Sequence, residues 1–262
     1  MKLSLSVVMI TKNAAATIGR SLESVRGLAD EIIVVDDYST DKTIGIVHQV
    51  LQDRKVYKVF KHHEKDLGKQ KRYAVGKARG KWILILDSDE IVSAPLKMEI
   101  RDSISARRRI QNDKIAGYYI PYHNHFLGRR VKYGGENYSM LRLFRRGTGQ
   151  ISPRLVHEKF ELKSKKTGKL KGHLDHYSYR SLWQMYKKFT GYAIRDARQK
   201  MAAGEKSSLK KIFLYPPHMF WARFIKSKGY KDGWWRMPLD LGFAYMEFLT
   251  YITLAVKNIF SN

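Results

Sequence analysis

The stretch "ILILDSDEIV", residues 83–92, decides how the chain is read. The apolar run Trp82–Leu86 leads straight into three acids, Asp87, Asp89 and Glu90. It reads as a buried strand that ends in negative charge. The rest of the chain is strongly basic, with 50 Lys+Arg against 24 Asp+Glu and a formal charge of +26. An acidic cluster on such a chain needs a reason to be there.

Working upstream, the first ninety residues alternate between two patterns. "LSLSVVMI", "EIIVVD", "KVYKVF" and "KWILILD" are short apolar runs and predict strands. Between them, "AATIGRSLESVRGL", "DKTIGIVHQVLQ" and "GKQKRYAVGKARG" predict helices, the second with Asp41 as N-cap and the third closed by Gly80. Such alternation argues for parallel βαβ units. In open sheets of this kind ligands bind beyond the carboxyl ends of the strands. The polar residues to watch are therefore Thr11, Lys12 and Asn13 after the first strand, Asp36 and Asp37 after the second, and Asp87–Glu90 after the fourth.

Downstream, a helix is predicted from Pro95 to Arg109. The region "AGYYIPYHNHFLGRRVKYGG" is aromatic and Gly-rich. "SMLRLFRRG" and "RLVHEKFEL" predict strands that extend the sheet or form a small second one. From Ser181 the pattern is helical again, with Leu182, Met185, Tyr186 and Phe189 on one apolar face. Two more helices are expected over 208–228 and 233–259.

Composition bounds the rest. The length, 262 residues, suits one large domain or one with an appendage, and 44% hydrophobic residues supply a sizeable core. There is no cysteine, which excludes disulfides and thiolate metal sites. "LSLSVVMI" is too short for the apolar core of a secretory signal, so the N-terminus reads as mature and cytosolic-facing. The apolar run 241–256 contains Glu247 and falls short of the roughly 20 residues a membrane span needs. It predicts a buried or interfacial helix.

Two carboxylates at i and i+2 beyond a strand can reach one cation, and their hard oxygens suit Mg²⁺ or Mn²⁺, which in turn collect phosphate oxygens. A solvated strand-end turn is the alternative. Asp36 and Asp37 can accept hydrogen bonds from a ribose or base, or only from the backbone of the "YSTD" turn. Arg142 and Arg145 flank an apolar pair, are expected on one side of a strand, and there could touch phosphate or an acceptor.

Order and spacing together make a more specific pattern than any single piece. "VVMITKN", "EIIVVDDYSTDKT" and "GKQKRYAVGKARGKWILILDSDE", across roughly residues 4–92, resemble the inverting family 2 glycosyltransferases. "RLFRRGTGQISPRLVHEKFEL", "LDHYSYRSLWQMYKKFTGYA" and "KGYKDGWWRMPLDLGFAY" resemble, more loosely, the subgroup that includes the lipopolysaccharide core β-1,4-glucosyltransferases. Ala14 and Trp234-Trp235 depart from that subgroup, where an acid and a glycine are common. The resemblance implies an α/β fold of GT-A type, a Rossmann-like mostly parallel sheet flanked by helices, with a helical C-terminal extension. It implies a domain over 1–178, with a nucleotide-sugar half at 1–92 and an acceptor half at 93–178, and a helical region over 179–262.

The same resemblance implies site roles. Thr11, Lys12, Asn13, Asp36, Asp37, Lys69, Arg72, Asp87 and Ser88 would line a nucleotide-sugar site. Asp87 and Asp89 would hold the metal and diphosphate, with His176 as a further contact. Glu158 would be the general base that takes the acceptor's proton, with His157 beside it and Glu90 as the competing base. The expected reaction moves a hexose, with glucose as the default, from a UDP-sugar to a lipopolysaccharide-core or other cell-envelope glycan. A nucleotidyltransferase using the same sheet and metal is the alternative enzyme. The basic charge has two further readings. Lys/Arg interleaved with aromatics over 206–236 suits an anionic membrane surface, with the protein peripheral on the inner face of the cytoplasmic membrane. Nucleic-acid binding is the other, against which stand the acidic strand ends and the lack of any helix-turn-helix, RNP or finger pattern.

Overall fold

The computed structural model describes residues 4–53, 56–105, 115–151, 160–162 and 166–260. The chain forms two compact units: Met1–Tyr122 with Ser139–His176, and His123–Tyr138 with Tyr177–Asn262. The segment 123–138 thus falls in the C-terminal unit, whereas the sequence placed it in the first domain.

The first unit is built on four parallel strands, β1 (Leu5–Thr11), β2 (Glu31–Asp36), β3 (Tyr57–Lys61) and β4 (Trp82–Ile85), in the order β3-β2-β1-β4. Helices α1 (Ile18–Ser24), α2 (Thr43–Leu51) and α3 (Leu67–Gly76) connect them. A parallel sheet covered on both faces needs strands that are apolar on both sides. Val7, Met9, Val34 and Leu84 enter one core, while Val8, Ile33, Val35, Ile83 and Ile85 enter the other. The chain then continues through β5 (Glu90–Val92) and α4 (Ala94–Ile104), where Ser93 Oγ accepts from the Leu96 amide at 3.4 Å.

The later strands β6 (Gly117–Phe126), β7 (Arg129–Arg130), β8 (Ser139–Arg145), β9 (Gly149–Ile151), β10 (Phe160–Leu162), β11 (Thr167–Lys169) and β12 (Leu174–Tyr179) extend this framework. The main sheet runs β3-β2-β1-β4-β8-β6-β12-β5, and β9 pairs with β10 as a separate ribbon. "SMLRLFRRG" therefore extends the main sheet. Of "RLVHEKFEL", only the last three residues are described, and they belong to the ribbon.

Two expected boundaries shift. Helix α3 ends at Gly76, not Gly80. Gly80 instead lets its backbone approach β1: a Cβ there would sit 2.6 Å from the Ser6 amide nitrogen, and the Gly80 amide donates to Ser6 Oγ at 2.8 Å. Lys42, not Asp41, is the N-cap of α2. Asp41 still feeds that helix start, accepting from the Thr43 amide at 2.9 Å.

The C-terminal unit is helical: α5 (Leu182–Ala202), α6 (Leu209–Phe220), a π-helical turn at Trp221–Lys226, 3₁₀ turns at Gly229–Asp232 and Trp234–Arg236, and α7 (Met237–Phe260). Ser181 caps α5 by accepting from the Gln184 amide at 3.1 Å. Met185 and Phe189 of the expected apolar face are buried, whereas Leu182 is exposed. They pack with Phe126, Val131 and Leu239, and Gly242 of α7 admits both side chains against its backbone. The stretch Trp234–Asn258 is long and apolar enough to cross a membrane by length and composition, a property that core helices share.

Arg236 ties this unit together. Its guanidinium donates to Asp240 Oδ2 at 2.8 Å, to Asp232 Oδ2 at 2.9 Å and to the Tyr133 carbonyl at 2.8 Å. Gly134 has φ +66°, and any Cβ there would run into Arg236. Only glycine meets both demands.

Candidate active site

The carboxyl ends of β1, β2 and β4 form one polar rim. The Asp37 amide donates to the Thr11 carbonyl at 2.8 Å, which stitches the first two strand ends together. Asn13 fixes the turn after β2: its amide donates to Ser39 Oγ at 2.8 Å, and its Oδ1 accepts from the Thr40 amide at 2.8 Å. Asn13 and Tyr38 both hold positive φ, 49° and 53°. Asn tolerates that region, but for a tyrosine it is strain, which persists only where the surroundings enforce it.

The two aspartates after β2 divide their tasks. Asp36 is fully buried and accepts from Ser39 Oγ at 2.5 Å and from the Ser39 amide at 3.1 Å. It builds the turn, the second of the two readings its sequence position allowed. Asp37 faces outward and holds Lys12 Nζ at 2.9 Å and His63 Nδ1 at 2.6 Å. Burial would raise its pKa, but Lys12 and His63 overcome that and hold the carboxylate below its ordinary value. Thr11 is buried, and its Oγ1 has no partner among the described residues.

The acidic cluster resolves into three distinct groups. Asp87 Oδ2 takes Arg142 Nη2 at 2.8 Å, and Asp87 Oδ1 lies 3.4 Å from Lys71 Nζ. Burial works against its charge, but Arg142 and then Lys71 outweigh it and hold the carboxyl far below the usual carboxylate range. Glu90 is fully buried: Oε1 accepts from Tyr122 Oη at 2.7 Å and Arg142 Nη2 at 2.8 Å, and Oε2 accepts from the Asp87 amide at 2.9 Å. Burial raises its pKa despite Arg142, and the Asp87 charge adds to the rise. A general base must reach the acceptor's proton. Glu90 is sealed by three donors, so it is not a competing base.

Asp89 is the acid left on the rim. Its Oδ1 lies 3.6 Å from His176 Nε2, and both side chains are about one-fifth exposed, at 22% and 21%. The pairing of β12 with β5 sets this up, because His176 stands opposite Glu90 in register. A carboxylate and an imidazole are suitable donors for a divalent ion. Asp89 and His176 thus fit a metal. Asp87 does not, because both of its oxygens already face cations.

Arg142 was expected on the same side of its strand as Arg145. Residues three apart on a strand point to opposite faces, and Arg145 instead donates to the Ile115 carbonyl at 2.9 Å and lies over the Trp82 ring. The register of β6 against β8 also shifts here, with Tyr118 opposite Leu143 and Tyr119 opposite Leu141. Arg142 is the extra residue of a β-bulge, a device that re-aims a side chain. Its Nε donates to Tyr122 Oη at 2.5 Å. Its contacts are internal carboxylates rather than phosphate.

Lys69 and Arg72 are exposed on α3, and Lys71 between them is the cation that reaches Asp87. Helix α3 is entered through Asp66, whose Oδ1 accepts from the Gly68 amide at 2.7 Å. Ser88 is half-buried beside the cluster. Glu158 and His157 lie outside the described residues. Lys71 and Tyr122 were missed by sequence reasoning. Lys71 could have been found as one more cation of "GKQKR", whereas nothing near Tyr122 marks it.

Comparison with known proteins adds to this geometry. Residues 6–104 match the family described as glycosyl transferase family 2. The lipopolysaccharide core biosynthesis glycosyltransferase LpsC of Rhizobium meliloti (strain 1021) is 25% identical over 263 residues, covering 99% of this chain and 93% of that protein. An uncharacterized glycosyltransferase of Rickettsia bellii (strain RML369-C) is 38% identical over 116 residues, covering 44% of this chain and 37% of that protein. The crystal structure of S. aureus TarS 1–349 in complex with UDP superposes with TM-score 0.45 at 16% identity, covering 99% of this chain and 92% of that one. The matched segment carries β1 through β5 and every acid of the rim. Through residues 6–104 the chain is similar to the family 2 glycosyltransferases.

Proposed function

We propose that the chain moves a hexose from a UDP-sugar to a cell-envelope glycan acceptor, with inversion at the anomeric carbon. The observation that supports this most is the rim itself. The Lys12–Asp37 and Asp89–His176 pairs are partly exposed, the first three of these residues lying just beyond strand ends and His176 in β12, while Asp36 and Glu90 are buried and Asp87 holds Arg142. The name of the Rhizobium meliloti relative supports a lipopolysaccharide-type acceptor, and UDP-glucose is the donor to try first.

In this reading the acceptor hydroxyl gives its proton to a base as its oxygen bonds the anomeric carbon. The bond from that carbon to the diphosphate breaks, and the diphosphate leaves with the electron pair. Asp89 and His176 would hold Mg²⁺ or Mn²⁺, which supplies charge neutralisation for the leaving diphosphate. Lys12 stands on the rim to add positive charge there. Arg142 and Lys71 keep Asp87 charged and fixed, so the loop bearing Asp89 is preorganised. Glu158 takes the base role on the strength of the family resemblance.

Calorimetric titration with a panel of UDP-hexoses and Mg²⁺ or Mn²⁺ tests this. One UDP-hexose should bind, and Lys12→Ala should weaken it roughly tenfold, the order of one charge-assisted hydrogen bond. Pyrophosphate release from a nucleoside triphosphate and a sugar phosphate, with no UDP-hexose bound, would replace the proposal with a nucleotidyltransferase.

A further inference from the structure

The outward face of α6 carries an apolar ridge. Leu209, Phe213, Pro217, Trp221 and Ile225 recur every four residues through the helix and its π-helical continuation, and all five are exposed. Leu209 is 74% exposed, Phe213 65% and Trp221 47%. Ile212, on the flank of α6 beside the ridge, is buried against Tyr251 and Leu254 of α7. The helix is therefore already seated by its inner face, and the ridge is surplus to that packing. Contiguous exposed apolar surface of this kind marks an interaction site.

Charge says what kind. From Lys206 to Lys231 the sequence holds seven Lys/Arg and no acid. Lys211 is paired to Glu205, and Arg223 is bound to Glu136 and Asp240. Lys206, Lys210, Lys226, Lys228 and Lys231 are exposed, and none has an ion-pair partner among the described residues. Lysines outside any ion pair among the described residues thus stand at both ends of the ridge, with Trp234, 77% exposed, beside its C-terminal end. An apolar helix face with large aromatics, flanked by such lysines, matches the interface of an anionic bilayer. A protein partner would need a dense acidic rim around an apolar centre. A nucleic acid would leave Leu209, Phe213 and Ile225 in water.

We propose that α6 and its π-helical turn dock the protein on an anionic lipid surface, with the Leu209–Ile225 ridge entering the headgroup region and the five lysines meeting lipid phosphates. The proposal rests on this face of the C-terminal unit and not on the sugar-transfer reading.

Vesicle co-sedimentation of the full chain tests it, using phosphatidylcholine vesicles with and without about a third phosphatidylglycerol. Binding should require the anionic lipid and weaken steeply with salt. The double variant Phe213→Ser/Trp221→Ser and the variant Lys210→Glu/Lys226→Glu should each lose at least about tenfold in binding, since all four side chains are exposed and stay clear of the fold. Both should keep the wild-type circular dichroism and UDP-hexose titration. Donor binding intact with vesicle binding lost supports the proposal, and loss of donor binding in the wild type bears only on the sugar-transfer reading. Equal binding to neutral vesicles, no binding at all, or binding unchanged in the Phe213/Trp221 variant would overturn it. A concentration-dependent dimer that the same variant dissolves, without vesicle binding, would assign the ridge to a second copy of the chain instead.

Discussion

Arg142 and Arg236 are both buried arginines clasped by carboxylates, one in each unit. Arg236 is enclosed: Asp232, Asp240 and the Tyr133 carbonyl take its donors, and Arg223 closes the cluster through Asp240 and Glu136. Arg142 sits behind an open edge. Its partner Asp87 has a side chain 27% exposed, and Asp89 and His176 lie just beyond. A buried ion pair is therefore poor evidence of function on its own. What separates the two clusters is where the chain leaves a charged group uncovered, and only the first does so at strand ends.

That comparison can be broken. The largest expected effect is Arg236→Met, which leaves Asp240 with Arg223 as its remaining cation and Asp232 with only the Lys132 and Tyr133 amides. Breaking a buried pair from one side costs roughly 3–5 kcal/mol, to be read as a lowered urea midpoint. Arg142→Met should cost less in stability, because Asp87 keeps Lys71 and can turn to water and the buried Glu90, whose pKa is raised, can take up a proton, but it should also lose sugar transfer. Equal stability losses for the two would remove the distinction between an enclosed and an open cluster.

Acid sharpens it further. Asp87 is held low when folded, so its stabilisation is complete above its unfolded value, about 3.9. It is lost as pH falls through the folded value. Glu90 is held high, so its contribution is complete below its unfolded value, about 4.3, and is lost as pH rises through the folded value. The stability difference between wild type and Asp87→Asn should therefore shrink as pH falls from 5 toward 2. A difference that stays constant across that range would contradict the assigned pairing. The smallest effect is Lys12→Ala. Its bridge to Asp37 is exposed on the lysine side, and such pairs contribute under about 1 kcal/mol. Its thermal midpoint should barely move while UDP-hexose affinity falls.

The parts that were legible in the sequence are those fixed by local pattern. The strands β1 to β4 are apolar runs that a doubly covered sheet requires, and the polar residues after them mark the rim. What was not legible depends on residues distant in sequence. Arg142 reaches Glu90 only because a bulge shifts the register of β6 against β8. Glu90 read as a site acid, yet Tyr122, 32 positions away, helps turn it into a support. Gly80 read as a helix stop, whereas its role is set by Ser6, 74 positions earlier. Arg145 was misplaced by a periodicity error: three steps along a strand reverse the face.

The central claim is that Asp89, rather than Asp87 or Glu90, is the working acid of "ILILDSDEIV". The most direct measurement is metal-dependent release of UDP from UDP-hexoses in the absence of acceptor, read beside thermal shift, for wild type and Asp89→Ala. The account predicts that one UDP-hexose stabilises the wild type and is slowly hydrolysed with Mn²⁺ or Mg²⁺. It predicts that Asp89→Ala loses both effects while melting like the unliganded wild type. Protection and hydrolysis that survive in Asp89→Ala would contradict it.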